Sequence, residues 1–381
     1  MGMQPKLRFK GFTDDWEKRR LRDISKISAG GDVNKDKLTK IGKYPVLANA
    51  LTNDGIIGYY EDYKVKAPAV TVTGRGDVGH AKARHISYTP TVRLLSVQSD
   101  DFDVNFLENS INHTKIFIES TGVPQLTSPQ LGSVYITFPS LKEQTIIGKF
   151  LRNLDNLIAV NQRKVDLLKR KKAGYLQKLF PKNGQNNPEL RFKGYTDAWE
   201  KRKLENFTKS YSGGTPSVSK SDYYGGEIPF IRSAEINSDS TDLYLTEVGL
   251  KNSSAKMVQY GDILYALYGA TSGEVGISRI HGAINQAILA IKPTEGDDSQ
   301  FIMQWLRKQK GHIINTYLQG GQGNLSGSIV KSLEVRTPVN KNEEFKIGGL
   351  LRKIDNLIAV NQRKVDLLKR EKKALLQKMF V

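Results

Sequence analysis

Residues Asp155–Arg170 read DNLIAVNQRKVDLLKR, and Asp355–Arg370 read the same sixteen residues again, 200 positions later. Chance does not return sixteen residues in order, so the chain is internally duplicated. The likeness spreads outward with substitutions: FLRNL (Phe150–Leu154) answers LLRKI (Leu350–Ile354), and QKLF (Gln177–Phe180) answers QKMF (Gln377–Phe380). A second match opens each half, KLRFKGFTDDWEKRRL (Lys6–Leu21) against ELRFKGYTDAWEKRKL (Glu189–Leu204), offset by 183. A weaker third match precedes each copy of the long repeat, QLTSPQLGSVYITFP (Gln125–Pro139) beside NLSGSIVKSLEVRTP (Asn324–Pro338). Between these edges, Asp23–Thr121 and Glu205–Gln319 show no convincing alignment and differ in length. Matching parts imply one task performed twice and unlike interiors two different tasks; drift after duplication would also explain the divergence, but not sixteen untouched residues nearby.

The sixteen-residue repeat reads as helix. Apolar residues at Ile147, Leu151, Leu154, Ile158, Val165, Leu168 and Leu179 step by three and four in heptad fashion, with Asn161, Lys172 and Tyr175 in the remaining seam positions. The second copy places Ile347, Leu351, Ile354, Ile358, Asn361, Val365, Leu368, Lys372, Leu375 and Met379 alike. Neither helix is apolar enough to stand alone. Packing them against each other as an antiparallel coiled coil is the economical solution, with the two asparagines either buried at positions that commonly fix register or at a solvated edge of the seam. A second stripe, Leu157, Val160, Leu167 and Leu176, lies off the seam and points either to a docked protein or, chiefly near the N-terminal turn, to burial under the helix's own domain. The basic runs LLKRKK (Leu167–Lys172) and LLKREKK (Leu367–Lys373) read as solvated faces.

The segments between are mixed α/β. AVTVTG (Ala69–Gly74), SVYITF (Ser133–Phe138), GDILYALYG (Gly261–Gly269) and AILAIKP (Ala287–Pro293) read as strands, and helices are predicted over Gln300–Leu318 and, more weakly, Val104–Ser120. The polar PKNGQNNP (Pro181–Pro188) is a linker. The expected order is a globular domain over 1–140, a helix over 141–180, a linker over 181–188, a second globular domain over 189–339 and a second helix over 340–381.

A chain of 381 residues with 58 Lys and Arg against 39 Asp and Glu carries a net charge of +19, which favours a polyanionic partner. No apolar run reaches the roughly 18 residues that span a bilayer, and the opening MGMQPKLRFKG lacks the apolar core of a secretory signal; a cytoplasmic protein without membrane contact is expected. Cysteine is absent, and the five histidines form no HxxxH pair, which disfavours a metal site. GRGDVG (Gly74–Gly79) has the spacing of a dinucleotide fingerprint, but HAKARHISYTP follows it with no helical pattern. Loops for nucleoside triphosphates, GxSxG elbows and adenine methyltransferase motifs are missing as well, so no catalytic centre and no cofactor are expected in the chain.

The interiors instead offer Gly-punctuated loops carrying basic, amide, hydroxyl and aromatic side chains, the groups that reach base edges and phosphates. The candidates for DNA contact are Arg75, Lys82, Arg84, His85 and Arg93 in the first interior, and Arg232, Ser233, Tyr268, Thr271, Ser272, Arg279 and Gln286 in the second. Two other readings compete, a single-chain endonuclease or methyltransferase and a coiled-coil scaffold without a DNA role. The missing motifs count against the first and the charge against the second.

With these residues in view, the chain resembles the specificity subunit of type I restriction-modification enzymes over nearly its whole length. The repeated helix, the two LRFKG openings, GGTPSVSKSDYYGGEIPFIRSAEI (Gly213–Ile236) and GDILYALYGATSGEVGIS (Gly261–Ser278) carry the resemblance; the first interior lacks a GGTPS-like segment. The resemblance implies two α/β target-recognition domains joined by two long antiparallel helices, and a bipartite double-stranded DNA target. It further implies two modification subunits that use S-adenosylmethionine, and restriction subunits that use ATP and Mg, with none of that catalysis in this chain. Helix length would set the gap between the half-sites, on the order of one duplex turn.

Overall fold

The computed structural model describes residues 4–116, 124–182, 184–294, 296–317 and 324–380. The chain divides into two units, unit 1 being residues 1–163 with 362–381 and unit 2 residues 164–361. Apart from short 3-10 turns, the first half runs β1 (Glu17–Arg20), α1 (Leu21–Ile24), β2 (Lys26–Ala29), β3 (Tyr44–Leu47), β4 (Ile56–Tyr60), β5 (Ala69–Thr73), β6 (Ala81–Arg84), β7 (Thr89–Pro90), β8 (Leu94–Gln98), α2 (Val104–His113), α3 (Ser128–Ser133), β9 (Tyr135–Phe138) and the long helix α4 (Leu141–Lys178). The second runs β10 (Glu200–Lys203), β11 (Thr208–Ser212), β12 (Tyr224–Ile231), β13 (Tyr244–Leu245), α5 (Glu247–Lys251), β14 (Lys256–Val258), β15 (Ile263–Ala266), β16 (Val275–Ile277), β17 (Gly282–Ile284), β18 (Ile288–Pro293), α6 (Ser299–Tyr317), α7 (Gly327–Lys331), β19 (Glu334–Thr337) and α8 (Lys341–Met379).

The interiors that do not align in sequence share a topology. Each has an antiparallel four-stranded sheet, β2-β8-β5-β6 in unit 1 and β11-β18-β15-β16 in unit 2. Each has a second sheet built on a parallel pair, β3 with β7 and β12 with β17. The first and last strands of each half close a ladder of their own, β1 with β9 and β10 with β19. The weak third match has a local meaning: Thr127 caps α3, its hydroxyl accepting from the amide of Gln130, and Ser326 caps α7 by accepting from Ile329. Two expectations shift. Ser133 ends α3 instead of opening a strand, and α2 stops at His113, where Thr114 turns extended at φ −80°, ψ 133°; residues 117–120 of the longer predicted helix lie outside the described residues.

Within unit 1, Lys372 of α8 reaches Asp155 of α4 at 2.6 Å, while Met379 and Phe380 share a core with Ile147 and Leu151. Within unit 2, Lys172 of α4 reaches Asp355 of α8 at 2.7 Å, and Leu179 and Phe180 share a core with Ile347 and Leu351. In both units the helical segments therefore run antiparallel. Seam residues Leu151, Val165, Leu351, Ile354 and Val365 are buried, and Leu154, Ile158, Leu168, Ile358 and Leu368 partly so. Asn161 and Asn361 are buried too, each amide donating to the carbonyl four residues back, Leu157 at 2.7 Å and Leu357 at 2.6 Å. That bond uses one N–H of each amide within its own helix.

The opening LRFKG motifs lock each helix to its domain. Arg8 grips the buried carboxylate of Glu143 through Nε and Nη2, both at 2.8 Å; Arg191 grips Glu343 in the same way at 2.9 and 2.7 Å. Leu7 N donates to Lys378 O, and Leu190 N to Lys178 O, so each motif also meets the far end of the other helix. One turn on, the helix must pass the start of a domain helix. Asp103 caps α2 and Asp298 caps α6, and a Cβ built on Gly148 or Gly348 would stand 2.0 Å from the respective carboxylate oxygen. Glycine is the residue that permits this approach, and it recurs in both units.

Candidate nucleic-acid interface

In unit 2 the strand registers bring four loops to one edge. β12 and β17 run parallel with Ile231 beside Ile284, so Arg232 and Asn285 emerge side by side. Ser212 pairs with Leu289, and Ala266 with Ile288, which brings the segments after β11 and β15 to the same place. Gly213 fits because a Cβ there would come within 1.9 Å of Ile284 O. Gathered at that edge are Thr215, whose hydroxyl donates to Gln286 Oε1, and Tyr268, which bridges to Asn324 and hydrogen-bonds the Gln286 side chain. Burial holds the Tyr268 phenol above its ordinary value.

Arg232 and Ser233 open a 3-10 turn closed by Glu235, whose carboxylate accepts from Arg232 N at 2.9 Å, Nε at 3.2 Å and Nη2 at 2.6 Å, and from the Thr241 hydroxyl at 3.1 Å. Burial alone would raise the Glu235 carboxyl; the bonds from Arg232 and Thr241 outweigh it and hold the group below the ordinary value. Thr271 and Ser272 shape the β15–β16 turn through their backbone and through Ser272 Oγ, which donates to Leu267 O at 3.1 Å. Arg279 lies elsewhere. It follows β16 at the opposite end of that hairpin, in a pocket with Arg307, Arg352 and Asp355.

Unit 1 repeats the geometry with other residues. A Cβ on Gly30 would likewise come within 2.0 Å of Thr91 O, and Gly31 N donates to Pro90 O at 3.2 Å, as Gly214 N does to Ile284 O. Gly30-Gly31 thus stands where Gly213-Gly214 stands in unit 2, at the same offset of 183 as the opening match. Leu126 N donates to Gly74 O as Leu325 N does to Leu267 O, so Arg75, bridged to Gln125, occupies the place of Tyr268. Asn49 pins that loop, its amide nitrogen donating to Arg75 O and its oxygen accepting from Gly74 N, both at 2.7 Å. Sequence reasoning passed over Asn49, which has no motif around it. Arg93 is exposed and left-handed at φ +71°, and its carbonyl accepts from Gly74 N at 2.9 Å, so Arg75 and Arg93 come together. GRGDVG is the turn of the antiparallel β5–β6 hairpin.

The remaining candidates of unit 1 are occupied otherwise. Lys82 is ion-paired to Asp54, and Arg84 donates from Nε to Thr71 Oγ1 at 2.9 Å and from Nη1 to Asp54 O at 3.2 Å. With its side chain 12% exposed, Arg84 is desolvated, which lowers its pKa. His85 sits at the far end of β6 with Nε2 at 3.0 Å from Asn105 Oδ1.

On the helices, Leu157, Val160 and Leu167 are 43%, 59% and 66% exposed, and Leu357, Val360 and Leu367 are 49%, 62% and 55% exposed, so the same apolar trio appears on each repeat. Leu176 does not belong with them. It packs partly buried against the core of unit 2, because the helix end there is covered by the domain. Among the described residues, no helix is long and apolar enough to cross a membrane.

Comparison with known proteins follows this division. The family described as type I restriction modification DNA specificity domain matches residues 13–170 and again 196–370. The chain is 27% identical, over 95% of its length and 92% of the relative's, to a putative type I restriction enzyme MjaX specificity subunit of Methanocaldococcus jannaschii. It is 23% identical, over 95% and 91%, to the type I restriction enzyme MjaVIII specificity subunit of the same organism. The crystal structure of a type I restriction-modification system S subunit from M. genitalium superposes with a TM-score of 0.76 over 100% of this chain and 99% of that one at 15% identity, a likeness of fold. Duplicated family domain, shared architecture and loop-rich edges agree: the chain belongs to the type I restriction-modification specificity subunits, the family that recognises the DNA target.

Proposed function

We propose that the two units read the two halves of a bipartite, asymmetric DNA sequence, and that the twin helices each bind one copy of the same modification subunit. One observation carries this reading. The sixteen identical residues expose Leu157 and Val160 in unit 1 and Leu357 and Val360 in unit 2, whereas at the convergent edges Arg75 and Gln125 stand in unit 1 where Tyr268 and Asn324 stand in unit 2. Two equal surfaces suit two equal partners, and two unequal edges suit two different base sequences. A +19 charge adds the attraction to phosphate that every DNA reader uses. In this reading the chain holds no reaction of its own: S-adenosylmethionine serves the modification subunits, ATP and Mg serve restriction subunits, and the chain selects where they act.

The experiment is an exchange of interiors. Replacing residues 205–319 with the matching interior of a relative, followed by methylation mapping in the host, is expected to change one half of the target and leave the other half and the spacing intact. Change in both halves would overturn independent reading. Cleavage or methylation by the purified chain alone would overturn the assignment of chemistry to the partners.

A further inference from the structure

Guanine is recognised in the major groove when two N–H groups of one arginine reach O6 and N7 together, and the pairing is specific only when the guanidinium cannot rotate. An arginine can present this end fork, Nη1 and Nη2, while a carboxylate holds its side fork, Nε and Nη2. Arg232 is in that state. Glu235 occupies Nε at 3.2 Å and one hydrogen of Nη2 at 2.6 Å, and no protein group among the described residues hydrogen-bonds Nη1. The Arg232 side chain is 48% exposed while that of Glu235 is 12% exposed, so the holder is largely buried and the held group is presented. Glu235 is itself fixed by Arg232 N and by Thr241, whose hydroxyl lies 3.0 Å from Phe230 O. Asp242, 4.0 Å from Nη2, is too distant to compete and is fully solvated.

Three other basic candidates do not share this arrangement. Arg84 spends both Nε and Nη1 on the protein and is largely buried, Lys82 is tied to Asp54, and Arg279 lies at the other end of its hairpin. Arg232 alone, of the candidates in unit 2, combines a held side fork with a free end fork at the edge where Thr215, Tyr268 and Gln286 gather.

We infer that Arg232 reads a guanine in the half-site of unit 2, and that Glu235 is its positioning residue. The inference rests on the reading that unit 2 faces one half of the target. The test uses the chain in its native complex. Host methylation mapping identifies the site, and binding is then measured on duplexes carrying each single base-pair change, for the wild type, Arg232→Lys and Glu235→Gln. In the unit 2 half, one G·C pair is expected to cost the wild type about 5- to 150-fold when changed. Arg232→Lys, which keeps the charge and loses the fork, should reduce that penalty to about twofold or less and leave the others in place. Glu235→Gln should lower it partway, with binding to random duplex unchanged.

A base profile unchanged by Arg232→Lys overturns the inference. So does a uniform loss on specific and random duplex alike, which is the signature of a phosphate contact. Should Glu235→Gln fail to fold, Arg232→Lys decides alone. A wild type without any site preference would instead overturn the function itself, so the two failures are told apart.

Discussion

Arg8 on Glu143 and Arg191 on Glu343 are the same ion pair in units 1 and 2, but their surroundings differ. In unit 2 the remaining donors find partners: Arg191 Nη1 donates to Asp197 O at 2.9 Å, and Trp199 Nε1 to Glu343 Oε2 at 3.2 Å. In unit 1 the equivalent atoms, Arg8 Nη1 and Trp16 Nε1, are buried with no partner among the described residues. An unsatisfied buried donor costs about 1–3 kcal/mol, so the unit 1 joint is the weaker one by construction. Duplication preserved the covalent parts and the packing, and allowed the hydrogen-bond satisfaction to drift.

The comparison is broken most forcefully at the carboxylates. Glu343→Ala strands a guanidinium and an indole donor in the core and is expected to destabilise unit 2 by about 3–5 kcal/mol, the usual result of removing one partner of a buried pair. Glu143→Ala should cost unit 1 less, because two of its donors are already unpaired. Hydrogen exchange resolved by peptide would report each loss separately; a larger loss in unit 1 would mean that unseen partners satisfy Arg8 and Trp16.

A second difference sits one residue on. Gln144 in unit 1 answers Glu344 in unit 2, and both side-chain oxygens accept from the N-cap residue of a domain helix, Asp103 N at 3.3 Å and Asp298 N at 2.8 Å. Glu344 is fully buried, and burial pushes its carboxyl up to about 7 from an ordinary value of 4.5, against the pull of Lys341. A carboxyl raised on folding binds its proton more tightly in the folded chain. Stability of unit 2 is therefore greatest below pH 4.5 on this account, falls as pH rises toward 7, and stays lower above it, by about 3 kcal/mol in total. Glu344→Gln keeps the acceptor for Asp298 N and should raise stability at pH 8 while flattening the profile between pH 5 and 8. The reverse change, Gln144→Glu, puts a carboxylate where Leu141 replaces Lys341, and should harm unit 1 at pH 8 and spare it at pH 5. Denaturant titrations at the two pH values check both.

Much of this was legible beforehand. Heptad spacing located both helices, because an apolar seam must repeat every three or four residues, and the repeated trio Leu157, Val160 and Leu167 stood off that seam for the same reason. The common topology of the interiors was not legible. Strand order is carried by backbone bonds and by alternation of apolar residues, which tolerate nearly any identity, so scattered identities such as Lys26 with Lys209 and Gly30-Gly31 with Gly213-Gly214 are poor markers of it. The set of candidate contacts was legible in type and not in place: Arg84 and Lys82 read as available bases until Asp54, some thirty residues upstream, is seen to meet them. Long-range neutralisation of this kind leaves no local pattern.

The smallest difference tests how far identical sequence ensures identical energetics. Asp155 and Asp355 lie inside the sixteen-residue repeat, and each meets the equivalent lysine of the other helix, Lys372 at 2.6 Å and Lys172 at 2.7 Å. Asp355 also accepts from Gln304 Nε2 at 2.6 Å and lies 3.5 Å from Arg307 Nη1. Asp155 has no such additions among the described residues; instead it helps burial to hold the nearby Glu108 carboxyl above its ordinary range. Asp355→Asn is expected to cost about 1–2 kcal/mol, as the loss of charge-assisted bonds in a partly buried site. Asp155→Asn removes one half-exposed ion pair and relieves the repulsion on Glu108, so its cost should stay within about 0.5 kcal/mol. Relief also has a direct signature: the Glu108 carboxyl should titrate lower in Asp155→Asn, measurable by carbon-detected NMR, while equal stability losses at the two sites would show that the repeat, and not its surroundings, sets the energy.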